Sequence, residues 1–155
     1  MKNSFYYAAK SALLFSFILL FVASCSTDSD DHHEEEEPVG LRVKLNGTTV
    51  VEQDANQTIT GTISLTAGAS ASFTVLFISE DGDEFTPEVD EHSITVVSGS
   101  TDFTVSNVNS DSAPFGFDLA ASANATDNST ITITMNHEGA PEFVSQALPV
   151  TVSAN

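Results

Sequence analysis

Two hydrophobic regimes divide this chain. Residues 12–23 are apolar except for Ser16, whereas from Val39 onward apolar residues recur at every second position. Leu41, Val43 and Leu45 alternate with Arg42 and Lys44; Ile59, Ile63 and Leu65 alternate with Thr60, Thr62 and Ser64. Phe73, Val75 and Phe77 form a third set, thickened by Leu76 and Ile78, followed by Ile94 and Val96, then Phe103 and Val105, then Phe115, Phe117 and Leu119. Ile131, Ile133 and Met135 alternate with threonines, and Leu148, Val150 and Val152 come last. A period of two sends alternate side chains to opposite faces of a strand, one against a core and one to water. Threonine fills the wet positions, and Gly, Asn, Asp and Ser part the runs, as strands and turns require. No stretch keeps a helical period; the Ala-rich segment 120–125 is short and broken by Ser122 and Asn124. These eight runs predict an all-β domain over residues 39–155, an antiparallel β-sandwich rather than a barrel.

The first regime has a different meaning. Lys2 and Lys10 precede the apolar run, which is far shorter than the roughly 20 residues needed to cross about 30 Å of hydrocarbon. The run ends in Ala23 and Ser24, small enough for a peptidase cleft, and then Cys25, the single cysteine of the chain. This order of charged, apolar and small segments is that of a secretory signal. Val22-Ala23-Ser24-Cys25 resembles a bacterial lipobox. The resemblance implies cleavage after residue 24, lipidation of Cys25 and anchoring in the bacterial envelope. Two or three acyl chains hold a protein stably where one is marginal, at about 0.8 kcal/mol per buried CH₂. Residues 26–38 have no apolar member before Pro38 and run through Asp28, Asp30, Asp31, His32, His33 and Glu34 to Glu37. That composition buries nothing and repels itself, so it is expected to be an extended, disordered tether. Acidic residues soon after the cysteine also resemble the surface-export signal of Bacteroidota lipoproteins, which implies an outer-membrane, outward-facing location. The expected organisation is therefore signal 1–24, lipidated cysteine and tether 25–38, and sandwich 39–155.

Charge narrows the partners. The 155 residues carry a formal net charge of −18. Beyond the signal only Arg42 and Lys44 oppose the 22 acidic residues. Such a surface repels phosphate backbones and anionic headgroups, so nucleic acid is not a partner; cations and basic surfaces are compatible with it, as is plain solubility. With Cys25 lipidated no disulfide is available, and stability rests on the apolar core. Both tyrosines, Tyr6 and Tyr7, fall in the signal and there is no Trp. Sugar-binding faces usually present Trp or Tyr platforms. The remaining aromatics, Phe73, Phe77, Phe85, Phe103, Phe115, Phe117 and Phe143, read as core, which disfavours a glycan-binding module.

The closing part resembles the bacterial immunoglobulin-like domains repeated in adhesins and surface proteins. The matching pieces are Leu65-Thr66-Ala67-Gly68 before a Phe/Val strand, Asp81-Gly82 in the next loop, and Thr130-Ile131-Thr132-Ile133 near the end. The central Trp common in such domains is missing. The resemblance implies an immunoglobulin-like sandwich and leaves function open.

Three clusters offer chemistry. Imidazole and carboxylate together in His32-His33-Glu34-Glu35-Glu36-Glu37 suit Zn²⁺ or a similar borderline ion, though the tract serves equally as a solvated spacer. Asp81, Asp83 and Glu84 supply hard oxygens of the kind Ca²⁺ takes, in a spacing unlike the EF-hand and around an Asp-Gly that is first a turn signal. His92 and His137 lie at the ends of different strand runs, His137 beside Glu138; if the fold joins them they form a zinc site with a carboxylate. Asp111-Ser112-Ala113 resembles the short acceptor of Bacteroidota O-glycosylation, with Ser112 the modified residue. No Gly-x-Ser-x-Gly, His-Glu-x-x-His or phosphate-cradling glycine loop occurs. The expectation is a non-enzyme: a lipid-anchored immunoglobulin-like interaction or adhesion module with an envelope protein partner. The alternative is an accessory lipoprotein that binds Zn²⁺ or Ca²⁺ and works with an outer-membrane transporter.

Overall fold

A computed structural model describes residues 36–154. Cys25, His32 and His33, together with the expected signal and most of the tether, lie outside the described residues. Twelve strands follow in chain order: β1 Gly40–Leu45, β2 Thr48–Gln53, β3 Ile59–Gly61, β4 Ile63–Thr66, β5 Ser70–Ile78, β6 Glu84–Phe85, β7 His92–Ser98, β8 Phe103–Ser106, β9 Gly116–Ala121, β10 Ser129–His137, β11 Ala140–Val144 and β12 Leu148–Ser153. There is no helix among the described residues. The strands form two sheets. The first is ordered β3-β2-β1-β5-β9-β8, with β6 also pairing β5; the second is ordered β11-β10-β12-β4, with β7 also pairing β10. The expected all-β sandwich is what the chain adopts. One pairing departs from an antiparallel plan: β12 runs parallel to β4, in register Val150↔Ile63.

Each sheet turns its period-two apolar set inward. Leu41, Val43, Val75, Phe77 and Leu119 of the first sheet meet Ile63, Ile131, Ile133, Leu148 and Val150 of the second, all at most 1% exposed. Phe77 sits where the sheets meet, its ring edge-on to Phe115 at 6.2 Å and to Phe143 at 6.1 Å. Phe73 and Phe117 stack at 5.4 Å across the β5–β9 pair. All seven phenylalanines beyond the signal belong to the core or pack against it.

Two expected features change on folding. The run from Ile59 to Leu65 is not one strand: β3 lies in the first sheet and β4 in the second, and the chain crosses between them at Gly61-Thr62. Gly61 makes the crossing with φ of 86°, and a Cβ there would lie 2.2 Å from the Val50 carbonyl oxygen. Strand β2 was not among the eight runs, because its inward positions are Val51 and the polar Gln53, 2% exposed. Gln53 is tolerated inside because its Oε1 accepts the Gln146 backbone N–H at 2.6 Å, satisfying a buried amide. The β1–β2 hairpin closes through Asn46 (φ 52°) and Gly47 (φ 79°), the two left-handed residues that a tight hairpin turn demands.

On the outer face of the first sheet Arg42 and Lys44 are both engaged. Arg42 Nε lies 2.8 Å from Glu52 Oε2 across the strands, and Glu84 joins Arg42 Nη1 at 3.0 Å to Lys44 Nζ at 2.8 Å. The edge of β7 is covered by a side chain acting as a strand: Asn109 accepts the Ile94 N–H at 2.8 Å and donates to the Ile94 carbonyl at 2.7 Å.

Candidate functional site

Strands β7 and β10 run antiparallel in a register that pairs Ile131 with Ser98 at one end and His137 with His92 at the other. The first residue of β7 thus meets the last of β10. Both histidines are in phase with inward-facing residues, His92 with Ile94 and His137 with Met135, so the pair closes one end of the core. Directly opposed residues place their side chains close together. The two imidazoles stack with centroids 4.6 Å apart and planes 16° from parallel.

The third member comes from the next hairpin. Glu138 (φ 49°) and Gly139 (φ 84°) turn the chain so that His137 pairs Ala140. The register then shifts between Met135 and Asn136: Asn136 pairs Pro141 and Met135 pairs Phe143, leaving Glu142 as the extra residue of a β-bulge. A bulge re-aims a side chain, here toward the histidines. Glu142 Oε2 lies 3.4 Å from His92 Nε2. One ligand atom each from His92, His137 and Glu142 lie within 4.8 Å of one another, the one such group of three among the described residues.

The surroundings orient these side chains. The side chain of His92 is 5% exposed, and its Nδ1 lies 3.1 Å from the Glu88 carbonyl oxygen, which also accepts the His92 backbone N–H at 2.9 Å. Backbone support of this kind, from the nitrogen facing away from a ligand, sets ring orientation and tautomer in metal sites. Glu91 Oε2 stands 3.6 Å from His137 Nε2, and the Glu138 N–H donates to the Glu91 carbonyl at 2.8 Å, tying the loop before β7 to the end of β10.

Of the sequence-derived candidates, the fold brings His92 and His137 together and adds a carboxylate that the sequence reading did not single out. That reading noted Glu138, which forms the turn, whereas Glu142 faces the imidazoles. The clue was present in His137-Glu138-Gly139: a two-residue hairpin there carries the following strand back alongside His137. Asp81, Asp83 and Glu84 are placed otherwise. Gly82 (φ 86°) donates its N–H to the Ser79 carbonyl and Ser79 donates to that of Asp83, the turn that Asp-Gly signalled. Glu84 is in β6 and turned to Lys44 and Arg42, whose hydrogen bonds, Lys44's foremost, hold its carboxyl below the usual range. Ser112 is exposed in a turn closed by the Ala113 N–H on the Ser110 carbonyl at 2.9 Å. It borders a shallow hollow of about 270 Å³ shared with Ser72, Asn107, Ser110 and Asp118. Hydrogen bonds from Ser72 and then Asn107 keep Asp118 ionised to lower pH than an ordinary aspartate.

No family model and no curated protein matches this chain. Among solved structures it is similar to domains 4 and 5 of the S-layer protein SbsC, with 20% identity over 76% of this chain and a TM-score of 0.42. It is also similar to a structure of domains 1–6 of SbsC, with 15% identity over 74% of the chain and a TM-score of 0.40. The chain spans 54% and 20% of the lengths of those two structures.

Proposed function

We propose that this chain is a non-catalytic module of the bacterial cell envelope, held at the outer membrane through a lipidated Cys25 and presenting its sandwich beyond the acidic tether for contact with another envelope protein. The observation that carries this reading is the order of the N-terminal sequence. Positive charges, a short apolar run and Ala23-Ser24 lead into the lone cysteine, and the acidic stretch then leads into β1 at Gly40. Cys25→Ser tests it. In cells the parent protein is expected in the detergent-soluble membrane fraction, with an acylated N-terminal Cys25 peptide in its mass spectrum. The serine variant is expected to keep its signal and lose the acylated peptide. A parent protein that is soluble and unacylated refutes the anchoring.

The second reading, an accessory protein that handles a divalent metal for an outer-membrane transporter, gains support from one observation: the register that sets His92 against His137 with Glu142 beside them.

A further inference from the structure

The geometry points to a binding site for one late first-row divalent cation, of the Zn²⁺ class, formed by His92, His137 and Glu142 with Glu91 at its open side. The site needs only the sandwich and is independent of the lipid anchor.

The hydrogen-bond inventory of His92 makes the first argument. Both ring nitrogens of this buried imidazole face oxygens that accept: Nδ1 the Glu88 carbonyl, and Nε2 the Glu142 carboxylate. A neutral imidazole has one N–H, so it satisfies one of these neighbours and sets a lone pair against the other. A second ring proton would resolve the conflict, and so does a metal ion on Nε2. Nδ1–H then donates to the carbonyl, and the Nε2 lone pair and the carboxylate both turn to the same cation. The carboxylate supplies charge compensation, and the carbonyl supplies the outer support that ligating histidines usually have.

Distances and ligand types agree with this choice. Metal–nitrogen and metal–oxygen bonds of about 2.0–2.2 Å in a tetrahedron set ligand atoms roughly 3.3 Å apart. The three atoms here lie within 4.8 Å, so side-chain rotation closes the remaining gap. The parallel imidazoles must leave their stack for both lone pairs to meet at one point. Two nitrogens and one carboxylate suit Zn²⁺, Cu²⁺, Ni²⁺ or Co²⁺, and ill suit Ca²⁺, which takes six to eight oxygens. Three protein ligands leave a fourth position, which Glu91 beside His137 or a water completes. Three separate segments are joined by the ion: the start of β7, the end of β10 and the bulge of β11. Occupancy therefore stabilises the hairpin end of the second sheet against opening.

His32 and His33 offer further imidazoles in the same chain, so the test removes them first. Full-length protein in detergent carrying His32→Ala and His33→Ala is titrated with ZnCl₂ by calorimetry, and its thermal unfolding is followed by far-UV circular dichroism with and without the metal. The expected result is saturable binding of one Zn²⁺ per chain with a raised Tm, and no Tm rise with CaCl₂ at the same concentration. His137→Gln and Glu142→Gln, placed on this background, are each expected to weaken binding by at least about tenfold, the scale at which even supporting residues around a metal matter. Both side chains are partly exposed, at 35% and 26%. The metal-free Tm of each variant checks folding, and Glu142→Gln carries the test if His137→Gln fails to fold. Loss of all binding with His32 and His33, or unchanged affinity in the Glu142→Gln protein, overturns the assignment.

Discussion

Replacing Gly61 by alanine is the sharpest perturbation of this fold, because two separable costs meet at one residue. The first is conformational. At φ of 86° an L-residue is strained by about 1–2 kcal/mol, partly offset by the smaller entropy of the unfolded chain, worth about 0.4–1 kcal/mol. The second is contact. The new Cβ falls 2.2 Å from the Val50 carbonyl oxygen, which is backbone and has no rotamer in which to retreat. That oxygen accepts the Thr62 N–H at 2.9 Å, and Val51 pairs Gly61 in the β2–β3 ladder. Moving it by roughly 1 Å loses the bond and leaves a half-buried polar group short of a partner, together at about 1–3 kcal/mol. The total is roughly 2–4 kcal/mol, a fall in Tm on the order of 10–20 °C for a domain of this size. Two further glycines isolate the costs. Gly47 (φ 79°) has nothing within 4 Å of its Cβ position, so its alanine variant bears the conformational cost alone, about 1 kcal/mol. Gly40 has an ordinary φ but a Cβ position 2.3 Å from the Gln53 carbonyl oxygen, so its variant bears the contact cost alone. Beyond the signal the chain has no Trp or Tyr, so urea and thermal unfolding are followed by far-UV circular dichroism. The reasoning fails if Gly61→Ala is no more destabilising than Gly47→Ala.

Phe77→Ala empties the point where the two sheets meet. Its ring is fully buried against Phe85, Phe115 and Phe143, so about 3–5 kcal/mol of stability is expected to be lost, measured by urea denaturation. Glu84 titrates below its ordinary value because Lys44, and after it Arg42, bond its charged form. A group whose folded pKa lies below its unfolded one adds stability above the unfolded value and loses it as pH falls through the folded value. Urea midpoints between pH 6 and 3 are therefore expected to decline less steeply in Glu84→Gln than in the parent, by an amount no larger than about 1 kcal/mol for so exposed a pair.

How much of this was legible in advance varied with the kind of interaction. The period-two runs from Leu41 to Val152 mark the inward faces correctly, because burial of alternate side chains is a local property of a strand. The same rule missed β2, where a hydrogen-bonded Gln53 occupies an inward position, and β11, where Glu142 sits on a bulge. It merged β3 with β4 because alternation says nothing about which sheet a strand joins. The histidines were visible as candidates, but their pairing was not. His92 and His137 are 45 positions apart in the numbering, and only the β7–β10 register sets them opposite. A shift of one residue would send one of them to the other face.

The amino-acid sequence alone determined the all-β class, the wet and dry face of most strands, the acidic surface, the phenylalanine core and the N-terminal pattern from Lys2 to Cys25. Each is a property of neighbouring residues or of composition, and short-range sterics and solvation suffice to establish it. The tertiary structure decided the parallel β4–β12 pairing, the sheet crossing at Gly61, the ion pairs of Glu84 with both sandwich cations, and the convergence of His92, His137 and Glu142. These depend on contacts between distant segments, which arise when the two sheets close over one core and a bulge turns a carboxylate toward a pair of imidazoles.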